Sequence, residues 1–121
     1  MRKKIIAADD ERALRLLVSG TLEICDYLVI EAENGLQALE LARQEKPDLI
    51  ILDVMMPGMS GLEVCKHIKT DPDLQGTKVL ILTAKGQQSD KEAAKEVMAD
   101  CYLSKPFSPA ILLAMVEEVL G

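Results

Sequence analysis

The stretch Leu49-Ile50-Ile51-Leu52-Asp53-Val54-Met55-Met56-Pro57-Gly58 decides the fold. Four consecutive aliphatic residues without polar alternation read as a strand buried on both faces, as at the centre of a parallel sheet. Asp53 closes that run and a Pro57-Gly58 turn follows, so the chain leaves the core at a carboxylate. A group placed there is held rigidly and still reaches solvent, which suits a nucleophile or a metal ligand.

On either side of this stretch, short apolar runs alternate with longer helical patterns, the βαβ signature of a parallel sheet. Strands are expected at 5–8, 27–32, 49–52, 78–83 and 101–103. The first helix carries Leu14, Leu17, Val18, Leu22 and Cys25 at spacings of three and four. Asn34 caps the second, whose apolar face is Leu36, Leu39 and Ala42 and which stops before Pro47. Ser60-Gly61-Leu62-Glu63 has capping-box spacing and opens the third, which ends near Asp71-Pro72. Ser89-Asp90-Lys91-Glu92 has the same spacing and opens a fourth, with Ala93, Ala94, Val97 and Met98 as its apolar positions. Ser108-Pro109 pairs an N-cap with proline at the first helical position and starts the fifth, which carries Ile111, Leu112, Met115, Val116 and Val119. Five strands and five helices alternate strictly, and right-handed crossovers place helices on both faces of one sheet.

Size and composition narrow the function. The 121 residues fit one domain, 1–121, able to bury roughly two-thirds of its unfolded surface without disulfides or metal. A formal net charge of −6 argues against binding a nucleic-acid backbone. The only aromatic residues, Tyr27, Tyr102 and Phe107, are too few for a base-stacking platform. Cys25, Cys65 and Cys101 are odd in number and far apart, which reads as reduced thiols. No signal peptide or apolar run near the ~20 residues of a membrane span stands out, so a cytoplasmic location is expected.

In a doubly wound sheet, ligands bind outside the C-terminal ends of the strands. The residues there are Asp9-Asp10-Glu11, Asp53, Thr83 and Lys105; the second strand ends in the less distinctive Ala32-Glu33-Asn34. Each has an ordinary alternative: a helix cap for the acidic doublet, a turn residue for Asp53, a β-branched strand residue for Thr83, a solvated lysine for Lys105. Gathered at one edge, they form a chemical unit. Clustered carboxylates repel, and desolvation pushes at least one pKa upward. A hard cation relieves that conflict, and Mg²⁺ needs only two or three carboxylates, a backbone carbonyl and waters. Lys105 supplies a point charge and Thr83 a hydroxyl for phosphoryl oxygens. An aspartate nucleophile can accept a phosphoryl group as an acyl phosphate.

These motifs resemble the response-regulator receiver domain, the CheY-like module of two-component signalling. The resemblance rests on Asp9-Asp10, on Asp53 with Met56-Pro57 and Gly61, on Thr83-Ala84 and on Lys105-Pro106-Phe107, and it spans essentially the whole chain. It implies a flavodoxin-like α/β fold, a doubly wound (βα)5 three-layer sandwich with parallel sheet order 2-1-3-4-5. It implies that Asp53 takes a phosphoryl group from a phosphohistidine on a sensor histidine kinase or histidine phosphotransfer protein. Asp10, Asp53 and the Met55 backbone carbonyl would ligate Mg²⁺ directly and Asp9 through a water. Lys105 would pair with phosphoryl oxygens across a cis Lys105-Pro106 bond, against the base rate for such bonds. Thr83 would move to the phosphoryl group and Tyr102 swing inward. The face of the fourth helix, fifth strand and fifth helix would then be read by an effector or output domain. On this reading the protein is a switch with at most self-catalysed phosphorylation and dephosphorylation, and it touches no nucleic acid or membrane directly.

Some features depart from the family pattern or stand outside it. Val97-Met98-Ala99-Asp100 occupies a stretch where many members carry a glycine, so the end of the fourth helix is expected to differ. Met55 cannot orient an attacking water and Lys85 is placed to reach across the site, which together predict a long-lived phosphoryl group. His67, on the third helix, reads as a solvated side chain. Two rivals are a pseudo-receiver that binds partners without phosphorylation and an aspartyl-nucleophile phosphatase. The complete residue set argues against the first, and Met55 stands where the second needs a general acid. With the last residues Leu120-Gly121 following the fifth helix, the expectation is a stand-alone receiver or one cut from a larger regulator or hybrid kinase.

Overall fold

A computed structural model of the chain describes residues 2–84 and 88–121, apart from the side chains of Gln88 and Asp90. The elements run β1 (Lys4–Ala8), α1 (Arg12–Ile24), β2 (Leu28–Ala32), α2 (Gly35–Glu45), β3 (Leu49–Asp53), α3 (Gly61–Thr70), a 3₁₀ turn (Pro72–Leu74), β4 (Lys78–Thr83), α4 (Gln88–Glu96), β5 (Cys101–Ser104) and α5 (Pro109–Leu120). The five strands pair in parallel in the order β2-β1-β3-β4-β5. The chain is therefore the doubly wound (βα)5 sandwich its alternation predicts.

Every residue of β3 is buried, as its unbroken aliphatic run requires. Strand alternation divides the core into two layers. Ile6, Ile50, Leu52, Val79 and Ile81 pack with Ala38, Leu39, Val64, Cys65, Ile68 and Ala94, under α2, α3 and α4. Ile5, Leu49, Ile51, Leu80 and Leu82 pack with Val18, Leu22, Leu112 and Val116, under α1 and α5. Among the described residues, no helix is long and apolar enough to cross a membrane.

Three caps form as their sequences predict. Asn34 accepts from the Gln37 N–H, Ser60 and Glu63 close a reciprocal capping box, and Ser108 accepts from the Ile111 N–H ahead of α5. The fourth helix differs: it already includes Gln88 and Ser89, so Ser89 is not its cap. The helix faces also differ from simple apolar spacing. In α1 the buried residues are Arg15, Val18, Ser19 and Leu22, whereas Leu17 is 41% exposed and Cys25 lies outside the helix. In α2 Leu36 is exposed and Ala38 buried, and in α5 Ile111 is exposed. Arg15 finds polar partners outside α1 and Ser19 one within it, and Gly35 at the start of α2 packs tightly against the Met59 backbone, so contacts override simple hydrophobic spacing.

The segment without glycine ahead of β5 keeps a glycine-type cap. Met98 has φ +64°, its N–H donates to the Lys95 carbonyl, and the Ala99 N–H donates to the Ala94 carbonyl. This is the Schellman arrangement with a side chain in the left-handed position. Met98 is 71% exposed, so its side chain returns little packing for that strain. Met98→Gly is expected to stabilise the chain by about 0.5–1 kcal/mol, strain relief outweighing the added freedom of the unfolded chain. A urea unfolding midpoint at or below that of the wild type would contradict this.

Candidate functional site

Register brings the site together. Ala8 lies opposite Leu52, so the next residues, Asp9 and Asp53, sit level at adjacent strand ends. Thr83 lies opposite Ser104, so Lys105 emerges one residue beyond at the same edge. One carboxylate oxygen from each of Asp9, Asp10 and Asp53 lies within 4.8 Å of the others. Asp9 and Asp53 are buried at 2% and 5% exposure, while Asp10 is exposed. Lys105 Nζ reaches over the pair, 3.0 Å from Asp53 Oδ2 and 3.5 Å from Asp9 Oδ2. The Lys105-Pro106 bond is cis, as the resemblance implied.

Local backbone holds each group. The Asp9 N–H donates to the Ala32 carbonyl, and Asp9 Oδ1 accepts from the Glu11 N–H at 2.9 Å. Asp53 Oδ1 accepts a longer bond, 3.4 Å, from the Met55 N–H. Gly61, the first residue of α3, lies so close to the strand end that a Cβ there would overlap the Asp53 carbonyl oxygen. Gly61→Ala is expected to destabilise by about 1–3 kcal/mol and to displace Asp53, because backbone must move. An unchanged denaturation midpoint with unchanged phosphoryl uptake would contradict this.

Burial pushes the Asp53 carboxyl up from its ordinary 3.8 to about 6. The Lys105 hydrogen bond opposes that rise, the Asp9 charge reinforces it, and the Lys105 charge and Met55 N–H oppose it again. The conflict expected from the sequence therefore falls on the carboxylate at the end of β3. The donor set suits a hard divalent cation: three carboxylates, two of them buried, with one exposed side for water.

The other candidates divide. Thr83 is fully buried at the end of β4, its Oγ1 3.4 Å from Ser104 Oγ. Tyr102 is half-buried on β5, with Lys91 Nζ and Lys95 Nζ 5.9 and 6.0 Å from its ring centroid. The Met55 side chain is 72% exposed beside Asp10. His67 is exposed in the last turn of α3. Lys85, read as a second cation for the pocket, lies outside the described residues. Next to Lys105, a groove of about 550 Å³ opens between α1 and the β5–α5 loop, lined by Ala13, Leu14, Leu17, Pro106 and Phe107. Leu17 thus faces this groove instead of the core.

Sequence reasoning missed two participants. Ser104 partners the Thr83 hydroxyl, and nothing in the apolar pattern marks it. Arg15 is 7% exposed, and its signal was available: it lies on the 15-18-19-22 stripe, where a charge requires partners.

Comparison with known proteins identifies the family. A family model described as the response regulator receiver domain matches residues 5–117. The chain belongs to this family. The receiver is 44% identical over 120 residues to the alkaline phosphatase synthesis transcriptional regulatory protein PhoP of Bacillus subtilis, an alignment covering 99% of this chain and 49% of that protein. It spans about half the length of the curated relatives it matches. Among solved structures, a putative response regulator from Chloroflexus aurantiacus J-10-fl superposes with TM-score 0.95 at 32% identity, covering 99% and 98% of the two chains. The chemotaxis response regulator CheY4 of Vibrio cholerae superposes with TM-score 0.92 at 36% identity, covering 98% and 99%. The receiver's function is that of a two-component phosphoacceptor, and neither rival reading is favoured. Receiver domains of response regulators work with histidine kinases and with output domains.

Proposed function

We propose that Asp53 is the phosphoacceptor of this receiver, working with Lys105, Thr83 and a Mg²⁺ held by Asp9, Asp10, Asp53 and the Met55 backbone carbonyl. The observation that carries the reading is Asp53 itself: a buried carboxylate in contact with Lys105 and grouped with two more aspartates. In the reaction, an Asp53 carboxylate oxygen attacks the phosphorus of a phosphohistidine. The O–P bond forms as the N–P bond breaks, and the imidazole leaves with the bonding pair and takes up a proton. Bound Mg²⁺ supplies charge neutralisation for the phosphoryl oxygens. Lys105 Nζ, already 3.0 Å from Asp53 Oδ2, is placed to donate to a phosphoryl oxygen instead.

The Thr83 hydroxyl, now partnered by Ser104, would move to the phosphoryl group. That exchange loosens the end of β5 beside Tyr102 and gives the face of α4, β5 and α5 a second state, readable by an output domain or effector. The donor, a sensor histidine kinase or histidine phosphotransfer protein, would meet the apolar groove beside Lys105. Met55 has neither a proton to donate nor an oxygen to orient water, so the acyl phosphate is expected to persist. Rapid loss of the phosphoryl group from the purified chain would contradict that.

The test is incubation with a small phosphodonor and Mg²⁺, read by intact mass and peptide mapping. A phosphoryl adduct on Asp53 supports the reading. No adduct under any condition leaves an interaction module that works without phosphorylation, and turnover of external phosphomonoesters would make the protein a phosphatase.

A further inference from the structure

Arg15 is a buried charge that the phosphoacceptor chemistry does not use. Its guanidinium makes three contacts. Nε lies 3.0 Å from Glu31 Oε1, Nη1 donates to the Asp9 backbone carbonyl at 2.9 Å, and Nη2 is 3.7 Å from Glu33 Oε1. The Asp9 carbonyl belongs to the peptide that joins Asp9 to Asp10. That peptide sets the direction of both side chains, and it matters most for Asp10, which is exposed. Asp9 is also held by its N–H to Ala32 and by its Oδ1 from Glu11.

We infer that Arg15 is a positioning residue for cation binding: its guanidinium, anchored on Glu31 and Glu33, orients the Asp9–Asp10 peptide so that both carboxylates face Asp53. The inference rests on the reading of the acidic trio as a divalent-cation site. A planar guanidinium can serve Glu31 and the Asp9 carbonyl at once from a single rotamer, which ties the end of β2 to the turn after β1. A bare positive charge this close to the trio would repel a cation. Glu31 and Glu33 neutralise it, so Arg15 orients without opposing the cation's charge.

This arrangement makes the sign of a substitution informative. By Coulomb's law alone, removing a positive charge near the site tightens Mg²⁺ binding. If Arg15 orients the doublet, removing it weakens binding despite the gain in negative charge. A role confined to holding α1 against β2 would leave the affinity unchanged or tighter.

The experiment titrates Mg²⁺ into the metal-free chain at fixed pH and ionic strength, followed on backbone amide resonances. Arg15→Met, which replaces the buried charge by a side chain of similar length, is expected to bind Mg²⁺ about tenfold more weakly than wild type, the usual scale for losing a group that orients a ligand. Arg15→Lys keeps a charged donor but reaches one acceptor at a time, and is expected to lose about threefold. Binding as tight as wild type or tighter in either variant, with an amide spectrum showing the native fold, overturns the inference. If Arg15→Met does not fold, Arg15→Lys decides by the same criterion. Absence of saturable Mg²⁺ binding by the wild-type chain overturns the cation-site reading as well, whereas normal wild-type binding with unaffected variants overturns only the role of Arg15.

Discussion

Asp53→Asn is expected to abolish phosphoryl uptake and, in metal-free buffer, to raise the melting temperature. The first effect follows from chemistry: an amide oxygen is a poor nucleophile toward phosphorus, and no acyl phosphate forms. The second follows from the site's electrostatics. The folded chain holds the Asp53 proton up to about pH 6, whereas the unfolded chain releases it near the ordinary value of 3.8. Native structure therefore binds this proton more tightly, and stability falls as pH rises from about 4 through 6. Above that range the ionised carboxylate disfavours the fold by about 2 kcal/mol, the 1.36 kcal/mol per pKa unit being reduced by screening at a site that opens to water. The asparagine variant escapes that destabilisation, in which the Lys105 contact is already included, so a net gain of about 2 kcal/mol near neutral pH is expected. The gain should shrink as pH drops from 6 to 4, vanish below about 4, and narrow when Mg²⁺ is added to both proteins. A phosphoryl adduct on the variant, or a stability difference that grows toward low pH, would contradict the account.

Lys105→Met should slow phosphorylation by a small donor about a hundredfold, the scale for losing a preorganised charge at a developing oxyanion. Lys105 touches both buried carboxylates, at 3.0 and 3.5 Å, and through its hydrogen bond and charge it holds the Asp53 carboxyl lower than burial alone would. Without it that carboxyl moves above 6, so the residual rate should rise with pH over a range shifted upward from the wild type's. Mg²⁺ affinity should move the opposite way from the rate, because a competing cation has gone. The contrast with Arg15 is physical: Lys105 directs its charge at two carboxylates of the trio, while Arg15 pairs its charge with two glutamates and donates one N–H to the uncharged Asp9 carbonyl. A rate within threefold of wild type, or Mg²⁺ binding that weakens in Lys105→Met, would remove Lys105 from its proposed role.

Local signals carried far in this chain. The Ser60-Glu63 box, the Asn34 cap and the Ser108-Pro109 start are short-range chemistry between neighbours in sequence, and they form as read. The aliphatic run ending in Asp53 is a central strand because no other environment accepts it. Helix rotation was less legible. Apolar spacing ranks Leu17 above Arg15 as a core residue, yet Arg15 is buried because Glu31 on the neighbouring strand and the Asp9 carbonyl in the turn before α1 satisfy it. Leu17 is turned outward to the groove lined by Pro106 and Phe107. The left-handed Met98 is similarly hidden, since methionine carries no sign of a cap that glycine would announce.

By itself, then, the order of residues determined the alternating strands and helices, the strand ends at which Asp9, Asp10, Asp53, Thr83 and Lys105 lie, and the chemistry those groups could share. Only the folded chain decided how they meet: which aspartates are buried, which hydroxyl Thr83 engages, and that Arg15 reaches the acidic doublet. The division has one cause. Periodicity and caps act between near neighbours, whereas desolvation, pairing and orientation depend on residues that only the sheet's register brings side by side.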